Sequence, residues 1–288
     1  WCWRAGATRW SRTMFDAGSR SETEAPSLPR AEGEARVSVR RAGGRSRLSG
    51  LRQRGSAKCL LPRVVAEPEA VFLNTAGGIT GGDRFDYAAE VGAGARLTCT
   101  TQAAERVYRA RPGSVGRLAS RLRLGAGARL DWLPQETILF DGGALERALE
   151  VEMAEDATLL AVEPLVLGRE RMGETVREGH FLDRWRIRRA GRLAFADTLR
   201  LTGPVAEIAA RPGLWGANRA AASLLLVAPG AEERLAAARA ALPPEGGASA
   251  WEGMLAARLL APDGRALRRA LVRLLTVFRP EMPRVWSL

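Results

Sequence analysis

The amino-acid sequence predicts a mainly β fold of the α+β class: stacked antiparallel strand–turn–strand units in layered, solenoid-like sheets, with two helices in the C-terminal third. Three observations carry that expectation. Gly92-Ala93-Gly94-Ala95-Arg96-Leu97 recurs as Gly125-Ala126-Gly127-Ala128-Arg129-Leu130. Each copy lies between stretches that alternate apolar and polar residues, the period-two pattern of a half-buried strand. A degenerate third copy runs from Leu149 through Ala154-Glu155-Asp156-Ala157 to Val162. Units that cannot bury an apolar face alone stack on one another.

The elements follow in order. Residues 30–63 hold ten Arg or Lys against Glu32 and Glu34. They read as a solvated first strand and a loop that meets a partner. Val71-Phe72-Leu73 begins a strand that runs into a Gly-dense loop ending at Asp83. Phe85, Tyr87 and Val91 lead into the first Gly/Ala turn, with Leu97 and Cys99 after it. Leu118, Leu122 and Leu124 lead into the second, with Leu130 and Trp132 after it. His180 to Arg188 alternates, turns at Ala190-Gly191 and returns through Leu193, Phe195, Leu199 and Leu201, a further hairpin. Ala231 to Leu242 is Ala-rich and stopped by Pro243-Pro244, a helix. Asp263 can N-cap a second helix running to about Arg279 before Pro280. Its Leu267, Leu271, Leu274, Leu275 and Phe278 form one apolar stripe that packs on a core or, on the sharper reading, a partner.

Stacking has a consequence for function. If the tight turns share one edge, the other connections share the opposite one. That rim would gather Gly77–Asp83, Gln102–Arg109, Pro134–Gly143 and Glu163–Arg169. Loops on a rigid scaffold are where function concentrates.

Composition bounds the rest. The chain has 288 residues, 46% hydrophobic and 26% charged, with a net charge of +12. That suits a single globular domain over 30–288. Residues 1–29 begin without Met and read as a disordered extension, with Met14 a candidate start. Arginine supplies nearly all the positive charge. A GC-rich coding sequence explains it blandly; an anionic partner explains it more sharply. Basic nucleic-acid binding is therefore the alternative function, but no aromatic residue interleaves with the basic stretch as a stacking surface would require. Cys2, Cys59 and Cys99 are far apart and form no zinc motif, and their odd count suits a reducing cytoplasm. No apolar run is long enough for a membrane helix.

Several motifs in fixed order carry a family likeness. Leu73-Asn74-Thr75-Ala76-Gly77-Gly78-Ile79-Thr80-Gly81-Gly82-Asp83 is followed by Thr100-Thr101-Gln102 through Val107-Tyr108-Arg109. Leu130-Asp131-Trp132-Leu133-Pro134-Gln135-Glu136 precedes Leu139-Phe140. Leu167-Gly168-Arg169 precedes Met172-Gly173-Glu174-Thr175, and Phe278-Arg279-Pro280 leads to Pro283-Arg284-Val285-Trp286. From about residue 36 onward the chain resembles the urease accessory protein UreD family, called UreH in some lineages. Glu105-Arg106 departs from the ordinary polar or Lys-containing pair expected before Val107-Tyr108-Arg109.

The resemblance implies a non-catalytic scaffold or chaperone, working in the cytoplasm, that binds apo-urease and UreF, and through UreF the GTPase UreG. It implies delivery of nickel, bound transiently rather than as a tight cofactor, by way of an internal polar passage. It leaves room for a homodimer within the accessory complex. It also places Phe278, Arg279 and Trp286 on the UreF side, with Trp286 expected to be exposed.

The residues themselves agree with a non-enzyme. His180 is the one histidine, set in a strand, where a packed or surface role is commoner than catalysis. The Gly77–Gly82 loop lacks the Lys-Ser/Thr of a phosphate-binding loop. Gly77, Gly78, Gly81 and Gly82, with Gln102, Tyr108, Arg109 and Arg169, read as structural or partner-binding loop residues. Asp83, Glu136, Asp141, Glu163 and Glu174 are the acids of the motif-bearing loops. Together they can line a wet path for a divalent cation; taken singly, Asp83 and Asp141 read as turn caps and Glu136, Glu163 and Glu174 as partners of Arg106, Arg109 or Arg169.

Overall fold

A computed structural model of the chain describes residues 29–62, 67–169, 172–211 and 213–286. The expected extension over 1–29, with Met14, lies outside them apart from Pro29. The chain opens with β1 (Glu32–Ala42), β2 (Arg45–Gly55), β3 (Ala57–Leu60) and β4 (Glu69–Asn74). The segment expected to be a loop is therefore strand. Its period was hidden because β2 carries an extra residue opposite Ser38/Val39, which breaks the alternation.

The repeat then builds the body. β5 (Arg84–Val91) turns into β6 (Arg96–Thr101), and β7 (Glu105–Val107) follows. β8 (Gly116–Leu124) turns into β9 (Arg129–Leu133), and β10 (Thr137–Leu139) follows. β11 (Ala144–Met153) turns into β12 (Thr158–Leu167). These are the three predicted units, stacked in order. The two arms of a unit run in opposite directions but do not pair with each other. One joins a seven-stranded sheet, the other a facing ten-stranded sheet. β5 pairs with β8, and β8 with β11, in parallel; β6, β9 and β12 do the same across the core. Phe85 pairs with Leu118 and Cys99 with Trp132, so the spacing of the sequence repeat is the register of both sheets. Arms split between two sheets bury an inner face each, which a flat hairpin would leave wet.

The turns lie close. Gly94 N–H donates to Ala126 O (2.8 Å), and Gly127 N–H to the Asp156 carboxylate (2.9 Å). A Cβ on Gly125 would stand 2.8 Å from the Ala93 nitrogen. Only glycine lets one turn settle on the next there.

The chain finishes with β13 (Glu178–Arg189), β14 (Arg192–Pro204), α1 (Val205–Ala209), β15 (Ala220–Val227), α2 (Leu235–Ala241), β16 (Gly246–Trp251), β17 (Met254–Ala261) and α3 (Gly264–Leu275). β13 and β14 form the expected hairpin. The short α1 was not expected; five residues carry no helical period. Asp263 caps α3 by accepting from Ala266 N–H (2.7 Å). α3 stops at Leu275, short of the predicted Arg279, and the chain leaves its axis to bring Arg279 to Asp131 (3.1 Å).

Two apolar layers result. Phe72, Phe85, Tyr87, Leu97, Trp132 and Phe181 fill the space between the sheets. Leu133, Leu160, Val162, Leu267, Leu271 and Leu274 join the outer face of the ten-stranded sheet to the helices. Among the described residues no helix is long and apolar enough to cross a membrane.

Gly125→Ala should cost roughly 1–3 kcal/mol of stability by forcing adjacent turns apart. Gly247→Ala, where a Cβ meets nothing within 4 Å, should change it by less than about 0.5 kcal/mol. Denaturant unfolding of the two variants checks the difference.

Candidate functional site

The rim opposite the stacked turns gathers the predicted connections. Ile79 bridges Val107 in parallel, β10 pairs with β7 and β12, and Arg109 bridges Gly143. The Gly-dense loop is fastened at both ends. Asn74 Nδ2 donates to Gly78 O (2.9 Å) and to Glu105 (3.2 Å), and Tyr108 O–H donates to Gly77 O (3.1 Å). A Cβ on Gly78 would run into the Tyr108 ring, one on Gly81 into Ser114, and one on Gly82 would press on Arg30. Asp83 closes the loop as a turn cap, accepting from Thr80 N–H (2.8 Å) and Ala31 N–H (2.9 Å). Gln102 is exposed, and its backbone N–H donates to Phe72 O (2.9 Å).

Farther along the rim an open cleft of about 860 Å³ is lined by Tyr108, Arg109, Phe140, Asp141, Arg169 and Glu174. Tyr108 stands edge-on to Phe140, and the Arg169 guanidinium lies 4.3 Å over the Phe140 ring. Arg109 pairs with Asp141 at 2.6 Å and Arg169 with Glu174 at 2.8 Å. Glu174 also accepts from Asp141 N–H (3.2 Å), which ties the two pairs together. Burial pushes the Asp141 carboxyl up, but the Glu178 and Arg177 N–H groups and the Arg109 guanidinium outweigh it and hold it below the usual range. The Arg169 hydrogen bond, against some burial, holds Glu174 low as well.

Behind this rim, between the sheets, lies a buried ionic cluster. Arg147, in the core-facing phase of β11, meets Glu163 of β12 at 2.6 Å and Asp183 of β13 at 2.7 Å. Its other terminal contact is the Thr137 hydroxyl on β10 (3.0 Å). Trp132 donates to Glu163 (2.9 Å) and Trp185 to Asp183 (3.2 Å). Two carboxylates thus share one guanidinium. Asp183 Oδ1 and Arg147 Nε have no partner among the described residues. Burial pushes Glu163 up to about 7 despite Arg147. Partial burial pushes Glu105 up to about 7 as well.

The five acids are therefore not one group. Asp141 and Glu174 share the cleft, Glu163 lies inside, and Asp83 sits in its turn. Glu136 turns toward the helical layer, where Arg268 of α3 binds it at 2.7 Å. The expectation of an exposed Trp286 is overturned. Trp286 is 4% exposed, its Nε1 donates to Leu133 O (3.0 Å), and Arg268 lies over its ring. Arg279 is held by Asp131, and Phe278 packs partly buried on the helical layer. The apolar outer face of the ten-stranded sheet draws this tail down. His180 lies between Thr202 (3.1 Å) and Glu146 (3.7 Å). Arg147 and Asp183 were missed, yet a signal existed: each occupies the buried phase of its strand, between Leu145 and Leu149 and between Phe181 and Trp185.

A carboxyl raised in the folded protein adds stability at low pH that is lost as pH climbs through its folded value. Raising pH from about 5 to about 8 should therefore lower the Tm of the parent protein more than that of Glu163→Gln. Glu105 is common to both proteins, so the difference isolates Glu163.

The UreD urease accessory protein family model matches residues 31–287. Among similar chains is a urease accessory protein UreD of Methylobacterium sp. (strain 4-46), 52% identical over 91% of this chain and 98% of its own. Another is that of Xanthobacter autotrophicus, 47% identical over 98% of each chain. A third is that of Rhizobium leguminosarum bv. trifolii, 49% identical over 90% of this chain and 96% of its own. With a match of this extent and identity, joined to the rim and motifs just described, the chain belongs to the UreD urease accessory protein family.

Proposed function

We propose that this chain assists urease maturation as a scaffold and not as a catalyst. It joins apo-urease to UreF, and through UreF to UreG, in the cytoplasm, and nickel crosses it as transient cargo. The observation that carries the passage is the interior excess of carboxylate over cation at Glu163, Asp183 and Arg147. With Glu163 pushed up to about 7, the site can give up a proton to a divalent ion, and Arg147 already satisfies part of each carboxylate. That competition favours release over retention, which suits cargo rather than a resident metal. The cleft at Asp141 and Glu174 lies on the rim above the cluster. There the acids are locked to Arg109 and Arg169, so they orient the loops that meet a partner. The helical layer holds Phe278, Arg279 and Trp286 in place, so any UreF contact on that side uses the surface they support and not the Trp286 ring.

Co-expression with urease, UreF and UreG tests both halves. Glu163→Gln, which leaves Asp183 to hold Arg147, should leave copurification of urease intact and lower its nickel content severalfold. Unchanged nickel would remove the passage and leave the scaffold. Glu174→Ala, which unties Asp141 from Arg169, should lower the urease recovered with the chain at moderate salt. Failure of the parent chain to recover urease at all would remove the scaffold too.

A further inference from the structure

Strand β2 carries four arginines and no acid, and the function proposed above makes no use of it. β2 is the terminal strand of the seven-stranded sheet and pairs with β1 alone. In an antiparallel pair every second residue of such a strand turns its N–H and C=O toward the open edge. The two faces of β2 differ. Arg45, Arg47, Arg52 and Arg54 are exposed on the outer one, with Arg47 opposite Arg40 and Arg52 opposite Arg36. Arg52 reaches Glu34 at 3.6 Å. Among the described residues Arg45, Arg47 and Arg54 have no carboxylate within ion-pair distance. Like charges placed directly across a ladder repel, and an incoming acid would relieve them.

The inner face carries two leucines between Ser46, which accepts from Arg96 N–H (2.8 Å), and Gln53, which accepts from Cys59 N–H (3.0 Å). A register shift opposite Ser38/Val39 adds a residue to β2, so that both Leu48, opposite Val39, and Leu51, opposite Val37, take the core side. The facing sheet ends in the four-residue β3 and leaves them uncovered, 47% and 42% exposed. β2 is eleven residues long and has no proline, so its edge is long enough to pair. Its bulge and its exposed arginines discourage pairing with a neutral or basic edge and leave an acidic strand as the favoured partner.

We propose that β2 receives an extended acidic segment of a partner protein, which adds to the sheet as a further strand. Its alternate acids lie over the arginines and its apolar residues over Leu48 and Leu51. Main-chain hydrogen bonds supply the affinity, and the alternation supplies the choice of sequence.

The probe is a fluorescein-labelled peptide alternating glutamate and valine, added to the full chain and followed by polarisation and by amide exchange. The expected result is binding that weakens with salt and slows exchange in β2, while β14, the other edge of the same sheet, is unchanged. Arg47→Glu/Arg52→Glu should weaken binding by about tenfold or more. Leu48→Thr/Leu51→Thr, which keeps the charge, should weaken it as well. Thermal melts of both variants confirm that the exposed substitutions leave the fold intact. Absence of binding, unchanged exchange in β2, or equal binding of a peptide with its glutamates grouped at one end would overturn strand addition. Tighter binding of a single-stranded oligonucleotide of equal charge, lost in Arg47→Glu/Arg52→Glu, would assign the stripe to nucleic acid instead.

Discussion

Level stacking of the strand–turn–strand units governs everything else in this molecule. Each unit sends one arm into each sheet, so neither sheet can slip without the other. A one-residue slip in the seven-stranded sheet would turn Phe85, Leu118 and Leu149 to solvent. The same slip would drag Leu97, Leu130 and Leu159 out of phase across the core. The Gly and Ala turns make the level stack possible because they are thin. The hydrogen bonds between successive turns then hold the spacing.

The rim is what remains when the turns take the other edge. Its loops differ in length and composition, but the strands deliver their ends side by side. β7 and β10 are short, and they pair only because their units are level. The rim therefore owes its shape to the sheets beneath it and its chemistry to the loops. Ionic pairing fixes the loops once they arrive, as at Arg109 with Asp141 and Arg169 with Glu174. The cluster at Arg147 is different in kind. It is buried, and its carboxyl groups outnumber its cation.

An arginine-rich chain also has to manage its own charge on the open face of the seven-stranded sheet. It does so by columns. Glu146, Glu150 and Glu152 of β11 stand between the arginines of β8 and those of β13, and Arg117, Arg121 and Arg188 pair with them. Single pairs of this exposed kind contribute little to stability. Their alternation limits like charges side by side, but Arg84 still stands opposite Arg117 and Arg189 opposite Arg192, and β2 adds Arg47 opposite Arg40 and Arg52 opposite Arg36.

The amino-acid sequence alone determined the strand-rich class, the number and order of the stacked units, the β13–β14 hairpin and the capped helix α3. Those follow from short-range periods and turn chemistry, which a linear chain displays openly. The motif residues Gly77 to Asp83, Tyr108, Arg109, Arg169 and Glu174 were legible as rim loops for the same reason. Only the tertiary structure decided that the arms of a unit separate into two sheets, because alternation says that one face is buried and not by what. Only it brought Arg147 to Glu163 and Asp183, since ion pairs across a core join strands that are distant in sequence. It also decided that Trp286 is buried: the face that covers it is assembled from strands and a helix far upstream, and no local pattern announces a neighbour that folding supplies.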